Sequence, residues 1–287
     1  MKVATAKSDS MKKEINKFLY FYRFLATEFR LVEIHSTAII EEGAVIEDGV
    51  KIGPYCIIGK DVKIGKNTVL QSHVVVEGIT EIGEENTIFS FVSIGKASQD
   101  LKYKNEPTKT IIGNRNSIRE FVTIHRGTDD RWETRIGSGN LLMAYVHVAH
   151  DVIIGDGCIL ANNVTLAGHV VVDSFAIIGG LTPIHQFCRI GSYSMIGGAS
   201  AVNQDICPFV LAEGNKAEIR GLNSIGLRRR GFTDEELSNL KKVYRIIFRN
   251  GLPLKEAVKQ AEEQYGEDKN IKYLLEFING SNRGITR

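Results

Sequence analysis

Along most of this chain a large aliphatic residue returns at every sixth position. Ile34, Ile40, Ile46, Ile52, Ile58, Ile64, Leu70, Val76, Ile82, Ile88 and Ile94 open the series. Leu142, Val148, Ile154, Leu160, Leu166, Val172, Ile178 and Ile184 carry it through the segment Leu141–Gln186. A period of six fits neither the 3.6 of a helix nor the alternation of a half-buried strand. It marks hexapeptide repeats, whose short strands wind into a prism-like parallel β-helix. Three hexads then make one coil, and neighbouring coils stack about 4.8 Å apart, burying an aliphatic column along the axis. Glycine often follows the aliphatic residue, as at Gly53, Gly59, Gly65 and Gly83, where a tight corner demands close backbone approach.

Two polar segments leave this frame. The first is KASQDLKYKNEPTKT, residues 96–110, after which Ile112, Ile118 and Ile124 resume the period. The second is RGTDDRWET, residues 126–134, after which Ile136 resumes it through Val202. Loops thrown out of a rigid scaffold often carry binding groups, although either is also readable as a tolerated surface insertion. The frame places a β-helix over residues 34–217. After Pro208 the pattern turns helical, with a capping box at Thr233–Glu236 and Leu237, Leu240, Val243, Tyr244 and Ile247 at helical spacing. Asn250-Gly251 ends that helix, and Leu254–Tyr265 and Asn270–Ile278 predict two more. Residues 218–287 thus form a small α-helical C-terminal domain. Residues 1–33 lie outside the repeat. Lysines precede the apolar run FLYFYRFLATEF, but Arg23 and Glu28 interrupt it and no small-residue cleavage site follows. This predicts an amphipathic helix packed on the end of the domain in preference to a targeting peptide. Met11 offers a second start.

The composition, 43% hydrophobic and 24% charged with a formal net charge of +2, is that of a globular protein and gives no whole-chain case for nucleic-acid binding. Cys56, Cys158 and Cys188 fall at the fifth place of a hexad, and Cys207 follows without C-x-x-C spacing. They read as small inward-facing residues in a reducing compartment, which predicts a cytoplasmic protein without a disulfide or zinc framework. No uninterrupted apolar stretch approaches the ~20 residues of a membrane span.

Against this frame four histidines stand out: His147, His150, His169 and His185. None takes the aliphatic first place of a hexad. With one coil per three hexads, position 150 stacks near 168 and 186, so the histidines gather on one edge of the prism. A histidine near neutral pKa suits the activation of a hydroxyl or amine. Asp151 follows His150 and could fix its tautomer, but adjacent strand side chains point to opposite faces, so a direct bond needs a corner between them. The Gly168 N–H could stabilise an oxyanion one coil away. Two rival readings are a zinc site of three imidazoles and a non-catalytic scaffold. The scaffold has no need of polar histidines on one edge or of loops beside them. The basic cluster Arg228, Arg229, Arg230, Lys241, Lys242, Arg245 and Arg249 is either a solvated helix face or a dock for an acidic partner.

The stretches IGKASQDLKY, VTIHRGT, NLLMAYVHVAHD, CILANNVTLAGHV, FAIIGGLTPIHQF and LRRRGF, in this order, resemble the UDP-N-acetylglucosamine acyltransferases of lipid A biosynthesis. The resemblance spans Ile34–Arg287. It implies a left-handed parallel β-helix, a homotrimer with active sites between subunits, no cofactor and no metal. It implies transfer of a (3R)-3-hydroxyacyl chain from acyl carrier protein to the 3-position of UDP-N-acetylglucosamine, without a covalent acyl-enzyme. In the matching motifs His150 would be the general base, Asp151 its support and Gly168 the oxyanion donor. Asp100, Lys102, His125 and His147 would bind sugar and pyrophosphate, and His169, His185 and Gln186 would continue the cleft. Asn223 and Arg229 would reach the nucleotide, and Gly198 would leave room for a longer acyl tail. The basic helices would then meet acyl carrier protein, which is acidic. Two features depart from the family: residues 1–33 have no counterpart, and Ile225 stands where an acidic residue is common. A 3-amino sugar remains an alternative acceptor. The later N-acyltransferase of the pathway would need an N-terminal uridine-binding domain, and thirty-three residues are too few for one.

Overall fold

In the computed structural model, which describes residues 31–287, the hexads form three sheets that wrap a single aliphatic column. The helix expected within residues 1–33 falls outside the described residues, apart from the exposed lead-in to the first strand at Glu33–Ile34. The strands are short, mostly two residues, because each hexad must also turn a corner. Consecutive strands go to different sheets, and each pairs in parallel with the strand one coil away. Ile34 pairs with Ile52 and Ile52 with Leu70, an eighteen-residue register. The aliphatic first places point inward: Ile58, Ile88, Ile94, Ile118, Ile124, Leu142 and Val148 have no solvent exposure. Each such burial is worth about 1.5–3 kcal/mol, which is why so regular a sequence selects one register. The first coil is the exception, with Ile34 47% exposed and Ile40 and Ile46 half-buried at the open end of the column.

The two excursions leave the register intact. Ile88 pairs with Ile118 and Ile118 with Leu142, so these coils are twelve and six residues longer than the rest. Both loops end earlier than the polarity of their sequences predicts. Lys109–Ile112 and Glu133–Ile136 are already strands, and Thr110 pairs with Thr80 and Thr134 with Thr110. All three threonines are fully buried. A polar side chain small enough for the interior extended the strand inward.

The corners carry the chemistry of the fold. The fourth place of many hexads adopts a left-handed backbone in a residue other than glycine, among them Tyr55, Phe91, Phe121, Tyr145, Asp151, His169 and Phe187. These corners stack coil upon coil. On one edge the rings of Tyr55, His73, Phe91, Phe121 and Tyr145 follow one another at about 5 Å. Inside the prism an asparagine ladder runs through successive coils at the fifth place. The Asn86 Oδ1 accepts from the Asn116 N–H at 2.9 Å, the Asn116 Oδ1 from the Asn140 N–H at 2.9 Å, and the Asn140 Oδ1 from the Cys158 N–H at 2.7 Å. Cys56, Cys158, Cys188 and Cys207 are buried and unpaired, and burial pushes the thiols of Cys158 and Cys188 up to about 11.

The helices begin later than the change after Pro208 predicts. A hairpin comes first: Val210–Glu213 adds to the longest sheet in parallel and Glu218–Leu222 returns antiparallel. Four helices follow: α1, Ser224–Arg229; α2, Asp234–Phe248; α3, Leu254–Tyr265; and α4, Lys269–Asn279. The capping box at α2 forms as read, with Thr233 and Glu236 bonded reciprocally. The tail is tied to the prism by named bonds. The Tyr273 hydroxyl donates to Asp173 at 2.9 Å, the Ser281 hydroxyl donates to Asp205 at 2.7 Å, and the Arg189 guanidinium lies 4.4 Å from the Phe277 ring centre.

Candidate active site

The corner after the strand His147–Val148 answers the question that adjacency raised. His150 and Asp151 are not on one strand; Asp151 has φ +59° and is itself the corner. The turn folds its carboxylate back, and His150 Nδ1 lies 2.8 Å from Asp151 Oδ2. Asp tolerates this backbone better than most residues. Asp151 is wholly buried. Burial opposes its charge, but hydrogen bonds from His150 and from the side chain and backbone of Thr128, with His169 close by, hold its carboxyl below the ordinary range.

One coil on, the backbone continues the site. Gly168 sits beside the His150 ring and leaves it room, and its N–H has no acceptor among the described residues. His169 stands on the same corner line as Asp151, with its ring edge-on to His150 at 5.1 Å and stacked on Phe187 at 4.4 Å. Its Nε2 is 3.7 Å from Asp151 Oδ2 and its Nδ1 is 3.2 Å from Asp130 Oδ2. Burial lowers its pKa, with Asp151 acting against that shift. The first loop closes the other side: Asp100 Oδ2 is 3.9 Å from His150 Nε2. Asp100, Lys102, Tyr103, Thr128, Asp129, Asp130, His150, His169, Gln186 and Phe187 line a cleft of about 360 Å³.

His125 and His147 form a second pair on the neighbouring strands, edge-on at 5.0 Å. His147 Nδ1 is 2.7 Å from the Thr123 hydroxyl. Burial, then the nearby His147, His150 and Arg126, lowers the His125 pKa to about 4, and burial also lowers that of His147. Both are neutral imidazoles near pH 7, suited to donating and accepting hydrogen bonds.

The remaining candidates lie elsewhere. His185 is exposed, its Nδ1 3.2 Å from the Gln186 carbonyl oxygen, and it does not line the cleft. Gly198 occupies a different edge of the prism, stacked on Gly180. Asn223 and Arg229 are on the third edge. Asn223 caps α1, accepting from the Gly226 N–H at 3.2 Å and donating to the Tyr193 carbonyl at 2.9 Å; Arg229 is exposed in the last turn. The basic cluster is smaller than its sequence suggests. Arg249 is spent on the Tyr244 hydroxyl and backbone carbonyls, Arg228 pairs with Asp234, and Arg230 covers the Phe175 ring.

Ligand atoms of His150, Asp151 and His169 lie within 4.8 Å of one another, the spacing a metal ion would need. The Asp151 Oδ2, however, is already engaged by His150 and by the Thr128 hydroxyl. The arrangement is a chain of donors and acceptors ending at His150 Nε2, the form of a base with its orienting carboxylate. Sequence reasoning did not single out Thr128, Thr134 or Arg131, which hold Asp151, nor Phe187, which stacks on His169. The available signal was the position of RGTDDRWET, one coil before H-V-A-H-D.

Known proteins resemble this chain over most of its length. The second-domain model of UDP N-acetylglucosamine O-acyltransferase matches residues 205–286, and the bacterial transferase hexapeptide model matches residues 43–78 and 133–168. An acyl-[acyl-carrier-protein]–UDP-N-acetylglucosamine O-acyltransferase of Fusobacterium nucleatum is 79% identical over 257 residues, covering 90% of this chain and all of that protein. One of Thermodesulfovibrio yellowstonii is 57% identical over 89% of this chain and 99% of its own. The crystal structure of UDP-N-acetylglucosamine O-acyltransferase from Moraxella catarrhalis superposes with a TM-score of 0.86 at 49% identity, covering 88% of this chain and 99% of that one.

Proposed function

Since the chain belongs to the acyl-[acyl-carrier-protein]–UDP-N-acetylglucosamine O-acyltransferase family, we propose that His150 is the general base of its acyl transfer. The fold is the left-handed parallel β-helix of hexapeptide repeats. The enzyme is an acyltransferase that moves a (3R)-3-hydroxyacyl chain from acyl carrier protein to the 3-hydroxyl of UDP-N-acetylglucosamine, the first step of lipid A biosynthesis.

The observation that carries the assignment of roles is the 2.8 Å contact between His150 Nδ1 and Asp151. A proton held there leaves Nε2 unprotonated and facing the cleft, within reach of an acceptor hydroxyl. Nε2 takes the proton as the oxygen attacks the thioester carbonyl. The Gly168 N–H, free of other acceptors among the described residues and beside the ring, receives the developing oxyanion. Collapse expels the carrier's thiolate, and the imidazolium returns its proton to the sulfur. Asp151 stays ionised throughout and stabilises the imidazolium. Asp100, Lys102 and Gln186 line the same cleft and hold the sugar, with the neutral His125 and His147 beside it.

The placement of the candidate residues supports the homotrimer. Gly198, Asn223 and Arg229 sit on edges of the prism other than that of His150, so one chain cannot bring them to its own base. A second copy seated against the cleft supplies them, and His185 then faces the neighbour. The acidic acyl carrier protein meets the cations left free on the tail, Arg229, Lys241 and Arg245. No helix among the described residues is long and apolar enough to cross a membrane. With a carrier-bound donor and a nucleotide sugar as substrates, we place the reaction in the cytoplasm.

The test is acyl transfer from (3R)-3-hydroxyacyl carrier protein to UDP-N-acetylglucosamine, wild type against His150→Ala, with the 3-amino sugar as a second acceptor. Turnover lost in a mutant that is still trimeric supports the base. A mutant as active as wild type removes it. Reaction with the amino sugar alone keeps the mechanism and changes the acceptor.

A further inference from the structure

Asp151 is gripped by the second loop from every side. The Thr128 N–H donates to Oδ1 at 2.9 Å and the Thr128 hydroxyl to Oδ2 at 2.5 Å. The Asp151 N–H donates to the Thr134 hydroxyl at 2.9 Å, and the Arg131 guanidinium donates to the Asp151 carbonyl at 2.9 Å. Other corners on this edge are held generically. The N–H of His169 bonds the His150 carbonyl one coil away, and that of Phe187 bonds the Gly168 carbonyl. At Asp151 alone of these three, the corner N–H bonds a side chain, the Thr134 hydroxyl, instead of a backbone carbonyl, and Thr128 and Arg131 of the loop add their donors.

The second torsion of an aspartate is broad and nearly two-fold. Held by His150 alone, the carboxylate would swing, and the imidazole with it. Thr128 gives each carboxylate oxygen a donor, which leaves one orientation of the group and one place for Oδ2. Thr128 is itself fixed: it is 7% exposed, its carbonyl accepts from the Trp132 N–H at 2.8 Å, and the neighbouring Gly127 carbonyl accepts from the Thr108 hydroxyl at 2.6 Å.

We propose that Thr128 is a positioning residue for acyl transfer: its hydroxyl and N–H lock the Asp151 carboxylate so that His150 Nε2 stays aimed into the cleft. Thr128 lines the cleft, but its hydroxyl and N–H are both turned to Asp151, so it works through the Asp151–His150 pair. Its role therefore rests on His150 being the base. Charge-assisted hydrogen bonds of this kind are the strong ones, so their loss reaches turnover even when the loop stays folded.

The experiment compares Thr128→Val, which keeps the shape and removes the hydroxyl, with Thr128→Ala, which cannot overfill the loop, and Thr128→Ser, which restores the donor. Steady-state constants for both substrates and thermal midpoints are measured for each, alone and in the His150→Ala background. Val and Ala are expected to lower kcat about ten- to hundredfold with both KM values within about twofold, and Ser to recover most of the loss. In the His150→Ala background Thr128→Val adds no further loss, because both act on one step. The proposal fails if Val and Ala turn over within about twofold of wild type, if Ser leaves their loss unrepaired, or if the loss adds fully to that of His150→Ala. Full activity of His150→Ala by itself sinks the base instead, an outcome separate from all of these.

Discussion

A methyl group on Gly168 would lie 2.5 Å from both Cε1 and Nε2 of His150, closer than real Cβ contacts allow. The His150 ring and the glycine of the next coil are therefore fitted to one another. The neighbour is a ring attached at a corner, so it can give way by rotating. Gly168→Ala is expected to leave the prism folded, with a thermal midpoint within a few degrees of wild type. It should cost roughly a hundredfold in kcat, because a displacement of the base of about 1 Å is enough for that. Turnover near wild type would show that the ring has room the contacts deny it.

Asp151 supplies the pH dependence. Its carboxyl is held below the ordinary range, so the folded state favours the ionised form. That stabilisation is present above the unfolded carboxyl value of about 3.9 and is lost as pH falls through the lower folded value. Asp151→Asn should therefore be less stable than wild type at pH 7, and the gap should close as the solution is acidified below about pH 4. Thermal midpoints of the two proteins from pH 7 to pH 3 measure this directly. Asparagine also reverses the donor–acceptor sense at His150 Nδ1, and kcat should fall by roughly 10²–10⁴ at neutral pH. A stability gap independent of pH would mean that the carboxylate is not the group responsible.

The asparagine ladder predicts a purely structural loss. Asn116→Ala removes the acceptor for the Asn140 N–H, and also the donors to Asn86 Oδ1 and the Gly137 carbonyl. The Asn140 N–H and the Gly137 carbonyl lose their partners, while Asn86 Oδ1 keeps the backbone N–H of position 116, a cost of about 2–4 kcal/mol. Denaturant unfolding should register it as a lower midpoint. The folded fraction should keep its kcat, because no rung of the ladder lines the cleft. A loss of turnover without a loss of stability would contradict that separation.

The fold was legible because hexad spacing is read directly from burial: Ile88 and Ile118 announce the same column although twelve extra residues lie between them. What the spacing did not carry was conformation at single positions. Nothing in the letters His150-Asp151 shows a left-handed corner, and without it the two side chains appear on opposite faces. Thr110 and Thr134 look like loop residues because their polarity hides how easily a short hydroxyl side chain packs inside a prism. The hairpin after Pro208 was invisible because its strands add to a sheet edge that only the assembled coils create. Gly198, Asn223 and Arg229 matched motifs, yet motifs give no edge of the prism, and each lies apart from His150 within one chain. Asn223 spends its side-chain amide on capping α1 and on the Tyr193 carbonyl, a structural use that the motif does not reveal.

The coil carrying Ile88 and the one carrying Ile118 meet in the register they would have if residues 97–108 were absent. The stack is thus indifferent to what is spliced into it, and the entropic cost of a longer excursion grows only with the logarithm of its length. The column and the loops are free to diverge at different speeds. A designer could graft a foreign loop at that junction, provided it keeps the buried Thr108 that holds the Gly127 carbonyl.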